Sequence, residues 1–214
     1  MNLITRVSIC SIVCAFLLIT NADAAMKTFI RDYTYQASEA DSKQSCRILA
    51  TEQVKRLLLE ELGTYLESHT EVVDSELTKD QITTLTAGVV KTQIVKESWN
   101  GHEYWLQAKM DADPDEVAAS IAKLSKDRQK VKQLEDNKKM SDKTLKDIDQ
   151  LKKDMELDKD DPKKTVKYNE KVQTLKMIQG MAGAFKALSE GKPSQGIGNV
   201  FEMLGDIFKN SPSQ

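Results

Sequence analysis

Both tryptophans of this 214-residue chain, one of its two histidines and a run of acids fall within residues 96–116. His102-Glu-Tyr-Trp-Leu106 opens like a zinc-protease helix, H-E-x-x-H, but Leu106 stands where the second histidine is needed. The stretch also alternates like a strand, which cannot set two ligands one helical turn apart. Asp111-Ala-Asp-Pro-Asp-Glu116 resembles the start of a calcium loop, but lacks the glycine at position six and the glutamate at position twelve. The acids at 158–161 before Pro162 fail the same test and read as a turn between helices. Residues 191–198 contain glycines but no preceding strand, and Pro193 is wrong for a phosphate cradle, so this stretch reads as a linker. No cofactor and no metal site is expected.

One further group could do chemistry. Residues 1–24 combine an early Arg6, an apolar run at 7–20 and small residues at Ala22 and Ala24, which describes a cleavable export signal. The apolar run is shorter than the roughly 20 residues that span a bilayer. Cys10 and Cys14 would leave with the signal, so Cys46 would stand alone. It reads as a small buried apolar residue. The alternative is a thiol chemistry shared with His69 and His102 in one pocket. The formal net charge of −2 argues against a nucleic-acid partner.

These residues need elements to hold them. Residues 26–35 are β-prone. Cys46, Ala50, Val54, Leu58 and Leu62 recur every four residues, with Leu57, Tyr65 and Leu66 widening the stripe, which predicts an amphipathic helix of about 25 residues. Lys55, Arg56, Glu60 and Glu61 fall on its wet face. Thr78 and Gln81 form a capping box for a short helix over 79–87 that buries Ile82 and Leu85 and stops at Gly88.

A strand over 89–99 then meets Asn100-Gly101, a strong hairpin signal because both residues tolerate positive φ. Beyond it, Tyr104, Leu106, Ala108 and Met110 alternate with Glu103, Trp105, Gln107 and Lys109, so this strand is predicted to be half buried. A two-residue loop would pair Val95 with Leu106; a three-residue loop including His102 would pair Ile94 with Ala108. Asp113 as N-cap and Pro114 at the first helical position start the next helix, with Asp115 and Glu116 at its positive end. The acids thus have a structural job.

Residues 126–164 are more than half charged, with Val131, Leu134, Leu145, Ile148, Leu151 and Met155 at helical spacing. That pattern suits long solvated helices with a coiled-coil seam, folded into a hairpin near 158–162 or extended as one rod. Ile197, Val200, Phe201, Leu204, Ile207 and Phe208 share one face of a last amphipathic segment. Its polar face is not basic, so packing or self-association is favoured over a membrane surface. The small residues Gly180, Gly183, Ala184 and Ala187 permit close helix contact.

The chain therefore divides into a signal (1–24), an α/β domain (25–125), a charged helical segment (126–164) and a C-terminal helical region (165–214). The fold class expected is α+β, a small antiparallel β-sheet packed with helices in the order β-α-α-β-β-α, followed by a charged α-helical or coiled-coil region.

The sequence from Ala50 to Ser68, with Val72, Leu77, Asp80-Gln-Ile82, Gly88, Val90 and the Tyr104–Leu106–Ala108–Met110 strand, resembles the N-terminal domain of flagellar assembly protein T. That domain is related to small bacterial envelope lipoproteins. The resemblance covers about residues 28–124. It implies an antiparallel sheet with helices packed on it, in a periplasmic protein that acts by binding other envelope components, with no catalytic residues. The middle and C-terminal domains of the flagellar protein have no counterpart here.

The function expected is a non-enzymatic interaction or scaffold module in the periplasm of a Gram-negative bacterium. Candidate contacts with other envelope proteins are Trp99, His102 and Trp105 at the hairpin tip and Phe201, Leu204 and Phe208 on the last helix. The alternative is a periplasmic ligand-binding protein or enzyme with a pocket near Cys46, His69 and His102.

Overall fold

The computed structural model describes residues 26–69, 77–158 and 161–189. The expected export signal, Val72 and the segment holding Phe201, Leu204 and Phe208 lie outside the described residues. The fold is α+β. Strand β1 (Lys27–Gln36) leads into helix α1 (Lys43–His69), then α2 (Lys79–Ala87), β2 (Gln93–Trp99), β3 (Glu103–Ala112) and α3 (Pro114–Leu124). Two long helices follow, α4 (Arg128–Leu157) and α5 (Pro162–Ser189).

The three strands form one antiparallel sheet in the order β1-β3-β2, so both β1 and β2 are edges. β3 buries Tyr104, Leu106, Ala108, Met110 and Ala112 and leaves the residues between them half-buried, which is the predicted alternation. These residues meet Phe29, Cys46, Ala50, Val54, Leu58 and Leu62 in a first core, together with Val117 and Ile121 of α3.

The α1 stripe from Cys46 to Leu62 is fully buried, but Leu57 is 39% exposed. The physical reason is rotation. A four-residue repeat overshoots a 3.6-residue turn by about 40° each step, so by Leu58 the stripe has turned roughly 120° from Cys46. Leu57 keeps the direction of Cys46, whereas the buried direction at that level is that of Leu58. On its other side α1 buries Ile48 and Leu49 in a second core with Leu145 and Ile148 of α4 and Tyr168, Val172 and Leu175 of α5. Lys164 reaches the Asp154 carbonyl and Lys171 reaches Asp147, so α4 and α5 form an antiparallel hairpin laid against α1.

Three local predictions change. β2 begins at Gln93 rather than Val89, because the N–H groups of Val89 and Val90 still donate to the Thr86 carbonyl at the exit of α2. Gly88 does stop α2, with the Thr78–Gln81 capping box in place, but its φ of −82° needs no glycine. Its lack of a side chain matters instead: a Cβ there would lie 2.8 Å from Leu134 Cδ1 and 3.3 Å from Leu124 Cδ2.

At the hairpin only Gly101 takes a positive φ, 99°. Asn100 works through its side chain, whose Oδ1 accepts from the N–H groups of His102 and Glu103. Trp99 therefore faces Tyr104 and Glu97 faces Leu106, not Val95. A β-bulge at Val95 then restores the Ile94–Ala108 pairing. Asp113 and Pro114 start α3 as expected, with Asp113 accepting from the N–H groups of Asp115 and Glu116.

Candidate functional site

The hairpin-tip trio does not form one patch. Side chains of directly paired residues share a face of a sheet. Trp99 pairs with Tyr104 and stacks at a tilt against it, ring centroids 6.1 Å apart, on the packed face. Trp105 pairs with Ser98 and Thr34 on the opposite face. His102 is exposed at the turn itself. Beside Trp99, Glu97 accepts from Arg47 Nε at 2.8 Å and from the Tyr104 hydroxyl at 2.7 Å. Burial pushes the Tyr104 phenol up, helped by Glu97, to about 12. That cluster clamps the edge strand β2 to α1.

Nor do Cys46, His69 and His102 converge. Cys46 and His69 are 23 residues apart (69 − 46) on the single helix α1, a separation of about 35 Å at 1.5 Å per residue. Cys46 is fully buried, and burial, with the nearby Asp41 charge, pushes its thiol up to about 11. A thiol so held is not a nucleophile near neutral pH. The shared-pocket alternative is overturned by the length of α1.

The chemistry-bearing side chains that do meet are elsewhere, at the junction of β1, α1, α4 and α5. The Asp41 carboxylate has no exposed surface. It accepts from the Ser38 N–H at 2.9 Å, the Ser38 hydroxyl at 2.8 Å, the Ser45 hydroxyl at 2.9 Å and the Tyr168 hydroxyl. Lys152 Nζ lies 3.5 Å from Asp41, donates to the Tyr35 hydroxyl at 2.7 Å and sits 4.5 Å from the centre of that ring.

Burial alone would raise the Asp41 carboxyl. The hydrogen bonds from Tyr168 and Ser38 and the charge of Lys152 outweigh it, and hold the group below its ordinary value. Both tyrosines are pushed upward, chiefly by burial, with Asp41 adding to it. Neither therefore offers a phenolate. The arrangement is a closed polar joint that ties both helices of the tail hairpin to the α/β layer.

Two open surfaces stand out among the described residues. One is the face of the sheet that no helix of the described residues covers. It carries Trp105, Thr34, Gln107, Lys109 and Ile30, the last 49% exposed. The other is a cavity of about 560 Å³ among α1, α2, α4 and α5. Leu59, Leu134 and Ile178 line it, and the buried Glu52 sits in its wall. Sequence reasoning missed Glu52: in a helix this rich in charge, only the approach of a second layer distinguishes one glutamate from its neighbours.

Among the described residues no group of three or more His, Cys, Asp or Glu is placed to hold a metal ion. No described helix is long and apolar enough to cross a membrane. Comparison with known proteins finds no family model, no curated protein and no solved structure that matches this chain.

Proposed function

We propose that this chain is an exported envelope protein that works as a non-enzymatic interaction module, docking a protein partner against the open face of its sheet. The observation that carries the reading is the asymmetry of the sheet. One face is sealed by helices in a continuous core, while the other presents Trp105 and the half-exposed Ile30 between polar residues. A large aromatic set among polar side chains, with Ile30 farther along the same face, has the composition of an interface anchor within a polar rim. Among the described residues both edge strands also keep one side without a neighbouring strand, so a partner segment could extend the sheet. The export-signal pattern of residues 1–24 and the resemblance to an envelope-binding domain support the same setting.

The test is site-specific photo-cross-linking in cells, with the reactive residue at Thr34 or Gln107 on the open face. A control at Leu157, 88% exposed at the far end of the hairpin, measures background. Reproducible adducts from the open face alone, lost in Trp105→Ala at unchanged thermal stability, are expected. Equal labelling from Leu157, or no adduct from the sheet, refutes the proposal.

A further inference from the structure

Glu52 occupies an unusual position. It is 5% exposed, on the side of α1 that turns towards α4 and α5. Its Oε1 accepts from the Ser141 hydroxyl at 2.9 Å, and its Oε2 accepts from Gln179 Nε2 at 3.1 Å. Both donors are neutral. The cation recorded beside it, Arg56, has its Nε 3.9 Å from Oε1, and its guanidinium is engaged with Asp142. Burying an anion without a close cation is costly, and a carboxylate has about four acceptor positions, of which two are used here.

The space next to this carboxylate is apolar. Leu59, Ala87, Leu134, Ile178 and Ala182 form the wall, and the volume of about 560 Å³ lies within the range of small-ligand sites. At the mouth, Lys138 pairs with Asp80 and Arg56 with Asp142, and the half-exposed Lys55 and the exposed Glu60 and Lys79 complete a rim of mixed charge in reach of solvent. The interior charge is Glu52. An anionic guest would be repelled by it. Among the described residues no three carboxylates, histidines or cysteines are grouped there to hold a metal ion.

We infer that this cavity binds a small amphiphilic organic cation, an ammonium or guanidinium group on a short apolar body, with the charged head on Glu52. The guest supplies a cation closer than the Arg56 Nε at 3.9 Å, and its apolar body leaves water for the wall of Leu59, Leu134 and Ile178. The inference is independent of the docking face, because the cavity is bounded by helices and none of the outer-face strand residues lines it.

The probes are n-hexylammonium, 1-hexanol and hexanoate, titrated calorimetrically into the purified full chain. Hexylammonium is expected to bind at least about tenfold more tightly than hexanol, the scale of one hydrogen bond to a charged group. Hexanoate is expected to show no saturable binding. Glu52→Gln should bring the amine and the alcohol to similar affinity. Ala182→Phe, which fills the cavity from a partly exposed position, should abolish binding of both while the circular dichroism spectrum stays unchanged. Equal affinity for amine and alcohol in the native chain overturns the inference. So does amine binding that survives Ala182→Phe at full strength, a result that stands even if Glu52→Gln fails to fold.

Discussion

Asp41→Ala tests whether the polar joint holds the tail hairpin in place. The substitution removes a carboxylate with no exposed surface and takes the acceptor from the Ser38 N–H and hydroxyl and from the Tyr35 and Tyr168 hydroxyls, while the Ser45 hydroxyl keeps the Ser42 carbonyl. It also leaves Lys152, whose side chain is 19% exposed, without its counter-ion. Removing one partner of a buried pair costs about 3–5 kcal/mol. The partial exposure of Lys152 lets water relieve some of that, which places the value toward the lower end. Tyr168→Phe removes a single hydroxyl and should cost about 1–3 kcal/mol.

The assay is urea unfolding followed by circular dichroism. With a slope of about 1–3 kcal/mol per molar, the Asp41→Ala midpoint should fall by at least about 1 M. The double variant Asp41→Ala, Tyr168→Phe should cost little more than Asp41→Ala alone, because the two groups share one bond. The pH dependence has a definite sign. The folded-state pKa of Asp41 lies below its ordinary value, so its contribution is fully present above the unfolded carboxyl pKa of about 3.9. It is lost as pH falls through the lower folded value. The gap between native and Asp41→Ala stabilities should be flat from about pH 5 to 8 and close below about pH 4. A cost under about 1 kcal/mol, or a gap that widens on acidification, would show that the joint contributes little and that apolar packing alone seats the hairpin.

Two further outcomes follow from the packing. Gly88→Ala should destabilise the fold by about 1–3 kcal/mol through contact with Leu134 and Leu124, and by less in a Leu134→Ala background where the space is free; equal costs in both backgrounds would place the strain elsewhere. The Cys46 thiol, buried and pushed up to about 11, should react with a small alkylating reagent at pH 8 only on the timescale of unfolding; labelling of the native chain within minutes would contradict its burial.

Much of the fold was legible because it depends on short-range rules. Asp113 and Pro114 start a helix, Thr78 and Gln81 cap one, and alternation along β3 fixes its buried face, all within a few residues of sequence. The structure departs from the local rules where a distant neighbour decides. Leu57 matches its local stripe, but the buried direction has rotated to Leu58 at that level. The loop at Asn100 and Gly101 was recognised, yet its register depended on which residue took the positive φ and on a bulge five residues earlier.

The amino-acid sequence alone determined the order and type of the elements, the α+β class and the rejection of the zinc and calcium motifs, because periodicity, caps and ligand spacing are written in neighbouring residues. Tertiary structure alone decided that Trp99 and Trp105 face opposite ways and that Asp41 meets Lys152 and Tyr168. It also decided which glutamate is buried beside a cavity. Burial and the partners of a charge are properties of what packs against it, and for Glu52 those partners, Ser141 and Gln179, stand 89 and 127 residues away along the chain.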